Sequence, residues 1–160
     1  MTKRSAGLLA YSEADDGSLE VLLVHPGGPF WQKKDRHAWS IPKGEYGPDE
    51  SAESAAEREW AEELGLPVPG GARHDLGVVT QTGGKEVRAW AVRGDAVDVE
   101  NFVSNTFDME WPPRSGRQQS FPEVDAARWM PLPAARQRMV RAQADLLDRL
   151  VAALGPDAGT

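Results

Sequence analysis

The sequence predicts an α+β fold, on three observations. Two pairs of apolar runs, each folded about a glycine-containing turn, read as β-hairpins. A capped amphipathic segment between the pairs reads as a helix. A second segment of helical spacing closes the chain. With 160 residues, 40% of them apolar and 27% charged, the chain suits one domain with a proper core and has an ordinary globular composition.

The elements follow in order. Residues 5–11 and 19–25 alternate or run apolar around Asp15, Asp16 and Gly17, and form the first hairpin. Residues 25–31, HPGGPFW, are a Pro/Gly loop, and the basic stretch 33–37 after it is mobile in character. Residues 39–44, WSIPKG, lead into the helix. Pro48, Asp49 or Ser51 can cap its start, and Gly65 suits a left-handed C-terminal position. At about 100° per residue, Ala52, Ala56, Trp60 and Leu64 form one apolar stripe. Glu59 and Glu63 fall roughly 40° apart beside that stripe, so they lean toward the packed side, with Glu62 next to Glu59. Residues 76–81 and 85–93 flank Gly83 and Gly84 as a second hairpin. Residues 102–111 hold one more strand, 112–120 are a polar loop, and 128–132 are a short strand. Residues 133–154 read as one amphipathic helix, with Met139, Leu146, Leu147, Leu150 and Leu154 at helical spacing. Gly155 and Pro156 end it, and the last residues fray.

The helix carries chemistry. The stretch 44–66, GEYGPDESAESAAEREWAEELGL, follows G-x5-E-x7-R-E-U-x-E-E-x-G-U, where U is bulky and apolar. Gly44, Glu50, Arg58, Glu59, Trp60, Glu62, Glu63, Gly65 and Leu66 fill every specified position. Clustered carboxylates repel one another, and holding them near apolar surface is unfavourable. A bound cation removes that penalty, and hard oxygen ligands suit Mg²⁺ or Mn²⁺ rather than zinc. Charge runs are usually solvated surface. A whole pattern with both glycines and the arginine is far more specific than a charge run.

This stretch resembles the signature of the Nudix hydrolases, which hydrolyse a diphosphate linked to some other group. Trp60 is a less usual choice where Leu is commoner. The resemblance implies an α/β/α sandwich with a mixed central β-sheet, in which the signature forms a loop-helix-loop. It implies that Glu59, Glu62 and Glu63 bind metal, that the Lys43 carbonyl reaches it, and that Glu50 joins through water or braces the loop. Arg58 is expected to pair with a helix carboxylate and orient it. Glu59, Glu63 or Glu123 is expected to take the proton of the attacking water. The approach W-x-x-P-K-G, with Trp39 and Lys43, looks like that of Nudix groups acting on dinucleoside polyphosphates, diphosphoinositol polyphosphates or capped RNA.

Outside the signature, Glu123 stands six positions before Trp129 in FPEVDAARW, similar to a glutamate that several Nudix groups hold over the metals. Asp108 and Glu110 are its rivals in an adjacent loop. Lys33, Lys34, Arg36, Arg114 and Arg117 lie in loops able to face the same site. Lys43, Trp39, Arg114 and Arg117 are accordingly candidates for binding substrate. Trp31, Trp39 or Trp111 can stack a base, while Trp90 and Trp129 sit in strand patterns and read as core. His25, His37 and His74 show no ligand spacing.

Composition excludes other chemistries. There is no cysteine, hence no disulfide, thiol nucleophile or cysteine-bound zinc. The first apolar run is too short for a signal-peptide core, and no stretch is long enough to span a membrane. A net charge of −7 argues against sequence-independent nucleic-acid binding. The expectation is a cytoplasmic, Mg²⁺-dependent pyrophosphohydrolase of residues 1–160, a monomer or homodimer. Its substrate is a small nucleoside diphosphate derivative, a dinucleoside polyphosphate or a nucleoside triphosphate. A Nudix-fold sensor that binds nucleotide without turnover is the alternative. A decapping enzyme for long RNA would want more basic surface than this acidic chain carries.

Overall fold

The computed structural model describes residues 2–155. Its strands are β1 Arg4–Glu13, β2 Leu19–Pro26, β3 Lys43–Glu45, β4 Arg73–Thr80, β5 Glu86–Arg93, β6 Thr106–Glu110, β7 Gln118–Pro122 and β8 Val124–Pro131. Its helices are α1 Ala52–Leu64, α2 Leu132–Arg138 and α3 Asp145–Leu154. Six strands form one sheet in the order β4-β5-β1-β2-β8, with β3 paired to β1. The β1–β5 pair is parallel and the other pairs are antiparallel, so the sheet is mixed.

β1 is buried on both faces, and its alternation divides the core. Leu8 and Ala10 join Ala55, Ala56, Trp60 and Leu64 of α1 on one side. Leu9 and Tyr11 join Leu146, Leu147 and Leu150 of α3 on the other. The result is the expected α/β/α sandwich. Trp90 is buried and Trp129 packs at the edge of the α1 side. No helix among the described residues is long and apolar enough to cross a membrane.

The sheet opens where the site lies. β1 pairs with β2 only from Tyr11 to Glu13, then the two diverge. β2 goes on to pair with β8, and β3 takes its place beside β1 at Ser5, Ala6 and Gly7. A Cβ at Gly7 would stand 2.3 Å from the Pro42 carbonyl oxygen, so only glycine admits the incoming segment. The gap between diverging strands is the cleft described below.

Three expectations are corrected. Residues 133–154 are not one helix. α2 stops at Arg138, a 3₁₀ turn spans Arg141–Gln143, and α3 follows. The break has a tertiary cause. The N–H of Trp39 donates to the Arg138 carbonyl, and the N–H of Val140 to the Trp39 carbonyl, both at 2.8 Å. These bonds hold Met139 in an extended conformation, at φ −68° and ψ 148°. Residues 118–120, expected in a polar loop, belong to β7, which pairs with β6 as a separate two-stranded sheet. β7 is almost wholly exposed, so no buried face marked it in the sequence. The stretch 33–37 is tied down at several points: the Lys34 carbonyl meets His25 Nε2, and Asp35 takes bonds from Trp39 Nε1 and Arg138.

Candidate active site

Local sequence builds the helix that carries the glutamates. Ser51 Oγ accepts the Ser54 N–H at 3.2 Å, and Gly65 closes the helix at φ 62° with its N–H on the Ala61 carbonyl. A Cβ at Gly65 would lie 2.5 Å from the Val103 carbonyl oxygen, so close approach adds to the need for glycine. The first glycine of the signature has a steric reason too. A Cβ at Gly44 would stand 2.0 Å from the Glu59 carboxyl carbon. The loop therefore packs directly on the carboxylate of Glu59, a residue that is 8% exposed.

Arg58 ties the carboxylates together. Its guanidinium grips Glu50 through two bonds of 2.8 and 2.9 Å, in the bidentate geometry natural to this pair. The same side chain donates to Glu59 at 2.8 Å and Glu62 at 3.3 Å, and to the Glu45 carbonyl at 3.2 Å. Glu63 turns the other way and accepts the Lys43 backbone N–H at 3.0 Å.

Electrostatics separate these groups. The bond from Arg58 draws Glu50 below the ordinary carboxylate range. Burial pushes Glu59 up, and repulsion from Glu62 and Glu123 adds to it, against the pull of Arg58. Burial pushes Glu63 up to about 8, with Glu59 and Glu123 adding to the shift against the bond from Lys43. Glu123 is raised by burial and by Glu62. Burial lowers the Lys43 ammonium, and the neighbouring Lys85 lowers it further.

Glu63 and Glu123 face one cleft of about 280 Å³, together with Lys43, Lys85, Gln81 and Trp31. A larger open hollow of about 600 Å³ lies by the N-terminal strand and takes only Glu50 from the signature's carboxylates. The smaller cleft is the one that the raised carboxylates line. Lys85 and Gln81 went unremarked in the sequence, because a lone lysine and glutamine at a hairpin turn carry no spacing signal.

Other candidates fall elsewhere. Trp39 is corrected: it is 3% exposed, its Nε1 donates to Asp35 at 2.8 Å, and its ring packs against His25, so no base can stack on it. Trp31 is 39% exposed, with Lys34 over one face. Trp111 packs edge-on against Phe30. Arg114 and Arg117 are corrected as well. They stand at the exposed tip of the β6–β7 hairpin and do not line the cleft, because the hairpin carries that turn away from Glu123 at its base. Glu110 bonds the Arg114 N–H and Asp108 the Ser120 hydroxyl, so both rivals of Glu123 serve that hairpin.

Among the described residues, no three histidine or acidic side chains converge into a finished metal cage. Arg58 occupies oxygens of Glu50, Glu59 and Glu62, and the Lys43 N–H occupies Glu63. The donor set nevertheless fits a hard divalent cation: it is all carboxylate oxygen, and two members are raised by burial, a penalty that a bound cation would offset.

The chain belongs to the NUDIX family, whose domain matches residues 1–150. With every position of the signature filled, it is a hydrolase of that family. Its fold is similar to the Ap4A hydrolase of C. elegans, at 22% identity and TM-score 0.58, covering 97% of this chain and 100% of that one. It is similar to the NUDIX domain of Shewanella oneidensis NrtR complexed with ADP ribose, at 18% identity and TM-score 0.66, covering 97% and 90%. The Nudix hydrolase RenU of M. smegmatis is 22% identical with TM-score 0.57, covering 95% and 87%. No curated protein matches the chain.

Proposed function

We propose that this protein is a cytoplasmic pyrophosphohydrolase that cleaves the diphosphate of a nucleoside derivative, a dinucleoside polyphosphate or a nucleoside triphosphate. One observation carries the reading: Glu63 and Glu123, both raised in pKa, face a single cleft that also presents Lys43 and Lys85. Paired acidic and basic walls suit a phosphate chain and the water that attacks it.

Glu59, Glu62 and Glu63, with the Lys43 carbonyl and Glu50 in support, would hold Mg²⁺ or Mn²⁺. Bound there, the ion would neutralise diphosphate charge and acidify a water molecule. Arg58 keeps Glu50, Glu59 and Glu62 in register, so its role is to position them. A carboxylate, Glu63, Glu59 or Glu123, takes the proton of the attacking water. Lys43 and Lys85 bind phosphate oxygens, and the open face of Trp31 stacks the base. In-line attack by water on phosphorus needs no covalent link to the protein.

The test is release of cleavage products, a mononucleotide and the remaining phosphorylated group, from a panel of nucleoside diphosphate derivatives, followed by anion-exchange chromatography with Mg²⁺ and with chelator. Turnover of at least one compound, lost on chelation, is expected. Nucleotide binding with no release from any of them would overturn the hydrolase reading in favour of a sensor.

A further inference from the structure

We propose that the Gln81 carboxamide donates a hydrogen bond to the substrate's phosphate chain, and that buried Gln143 holds it in the orientation this requires. The inference rests on the diphosphate reading of the same cleft. It starts from a backbone group whose role cannot change. The Ile41 N–H can only donate, and it lies 3.1 Å from one end of the Gln143 amide, so that end is the oxygen. Gln143 has no exposed surface. Its nitrogen therefore occupies the other end, 3.0 Å from Ser40 Oγ and 2.9 Å from the Gln81 side chain.

The next step follows from the same logic. Ser40 Oγ gives its own proton to the Ile41 carbonyl at 2.7 Å, which leaves it an acceptor toward Gln143. An amide nitrogen donates only, so Gln81 must present its oxygen to Gln143. The Gln81 nitrogen, with two N–H groups, is turned the opposite way. It has no acceptor among the described residues, and Gln81 lines the cleft beside Lys43 and Lys85. The backbone of Ile41 thus sets, through one buried amide, which end of an accessible amide faces the substrate.

The chemistry of that wall names the ligand. Gln81 leaves only its N–H donors without a partner among the described residues, Lys43 and Lys85 contribute ammonium groups to the lining that Glu63 and Glu123 share, and Lys85 is also 3.7 Å from Glu45. A group that satisfies all three at once carries several anionic, acceptor-only oxygens, as a phosphate chain does. A ribose hydroxyl or a base edge has no need of two ammonium groups.

The experiment is calorimetric titration of the full chain with imidodiphosphate, a non-hydrolysable diphosphate, in Mg²⁺. Gln81→Met removes the donor at similar size and leaves Gln143 its Ser40 partner, so the protein should fold. Affinity is expected to fall about tenfold, as for loss of a hydrogen bond to a charged group. Gln81→Glu keeps an oxygen for Gln143 and turns a carboxylate on the ligand, so a fall of about 100-fold or more is expected. Gln143→Met should weaken binding when Gln81 is present and add nothing in the Gln81→Met background. A purely structural role would weaken both alike, and that result overturns the positioning role. Folded Gln81 variants that bind within about twofold of the unaltered protein overturn the donor role while leaving the diphosphate reading intact. If the unaltered protein does not bind imidodiphosphate, both fall together.

Discussion

Helix α1 and the segment 132–154 are both amphipathic in sequence, yet one folds as it reads and the other does not. α1 has Ser51 at its start, Gly65 at its end and an apolar stripe between, so each local signal agrees with its packing. The C-terminal segment has the stripe without the caps. No side chain caps α2 or α3. Its backbone instead bonds to Trp39, which interrupts the helix at Met139 and Val140. Periodicity decides structure where caps support it, and yields to tertiary hydrogen bonds where they do not.

The largest effects should fall on opposite properties in the two regions. Met139→Ala empties a fully buried site at the break and should cost about 2–5 kcal/mol of stability, read by denaturant melting. A loss under about 1 kcal/mol would mean that the Trp39 bridge does not depend on that packing. In α1, Glu59→Gln or Glu63→Gln should lower kcat at least about 100-fold with the fold retained. Near-normal turnover in either folded variant would remove that residue from the chemistry.

Glu63 also makes a signed prediction about pH. The folded protein keeps a proton to about 8 that the unfolded chain releases near 4.5. The contribution is fully present below about 4.5 and is lost as pH rises through about 8, so the metal-free melting temperature should fall across that window. Glu63→Gln should flatten the decline, and Mg²⁺ should raise the melting temperature of the unaltered protein at the alkaline end. A decline of equal slope in Glu63→Gln would assign it to other groups.

A smaller effect separates the cleft from the hairpin beside it. Glu123→Gln should reduce kcat far more than it raises KM, whereas Glu110→Gln, which disturbs only the hairpin turn, should stay within about twofold. The reverse ranking would move the catalytic carboxylate to Glu110. Smallest of all, Ser51→Ala should cost about 1 kcal/mol, because the Ser54 N–H loses its acceptor. No change in the melt would show that packing alone sets the start of α1.

The sequence by itself determined the signature helix, its caps, the first hairpin and the identity of the clustered glutamates. All of these depend on residues close in the chain, where spacing carries the information. Tertiary structure alone decided which distant residues join them. Glu123 reaches the cleft while Arg114 and Arg117 do not, because β6 and β7 pair with each other and carry their turn away. Trp39 lies in the core because its backbone docks against residues 138–140. Lys85, Gln81 and Gln143 gather at the gap between β1 and β2 through contacts that span up to 103 residues. Such contacts leave no local pattern, since a single polar residue at a turn reads the same whether it meets solvent or substrate.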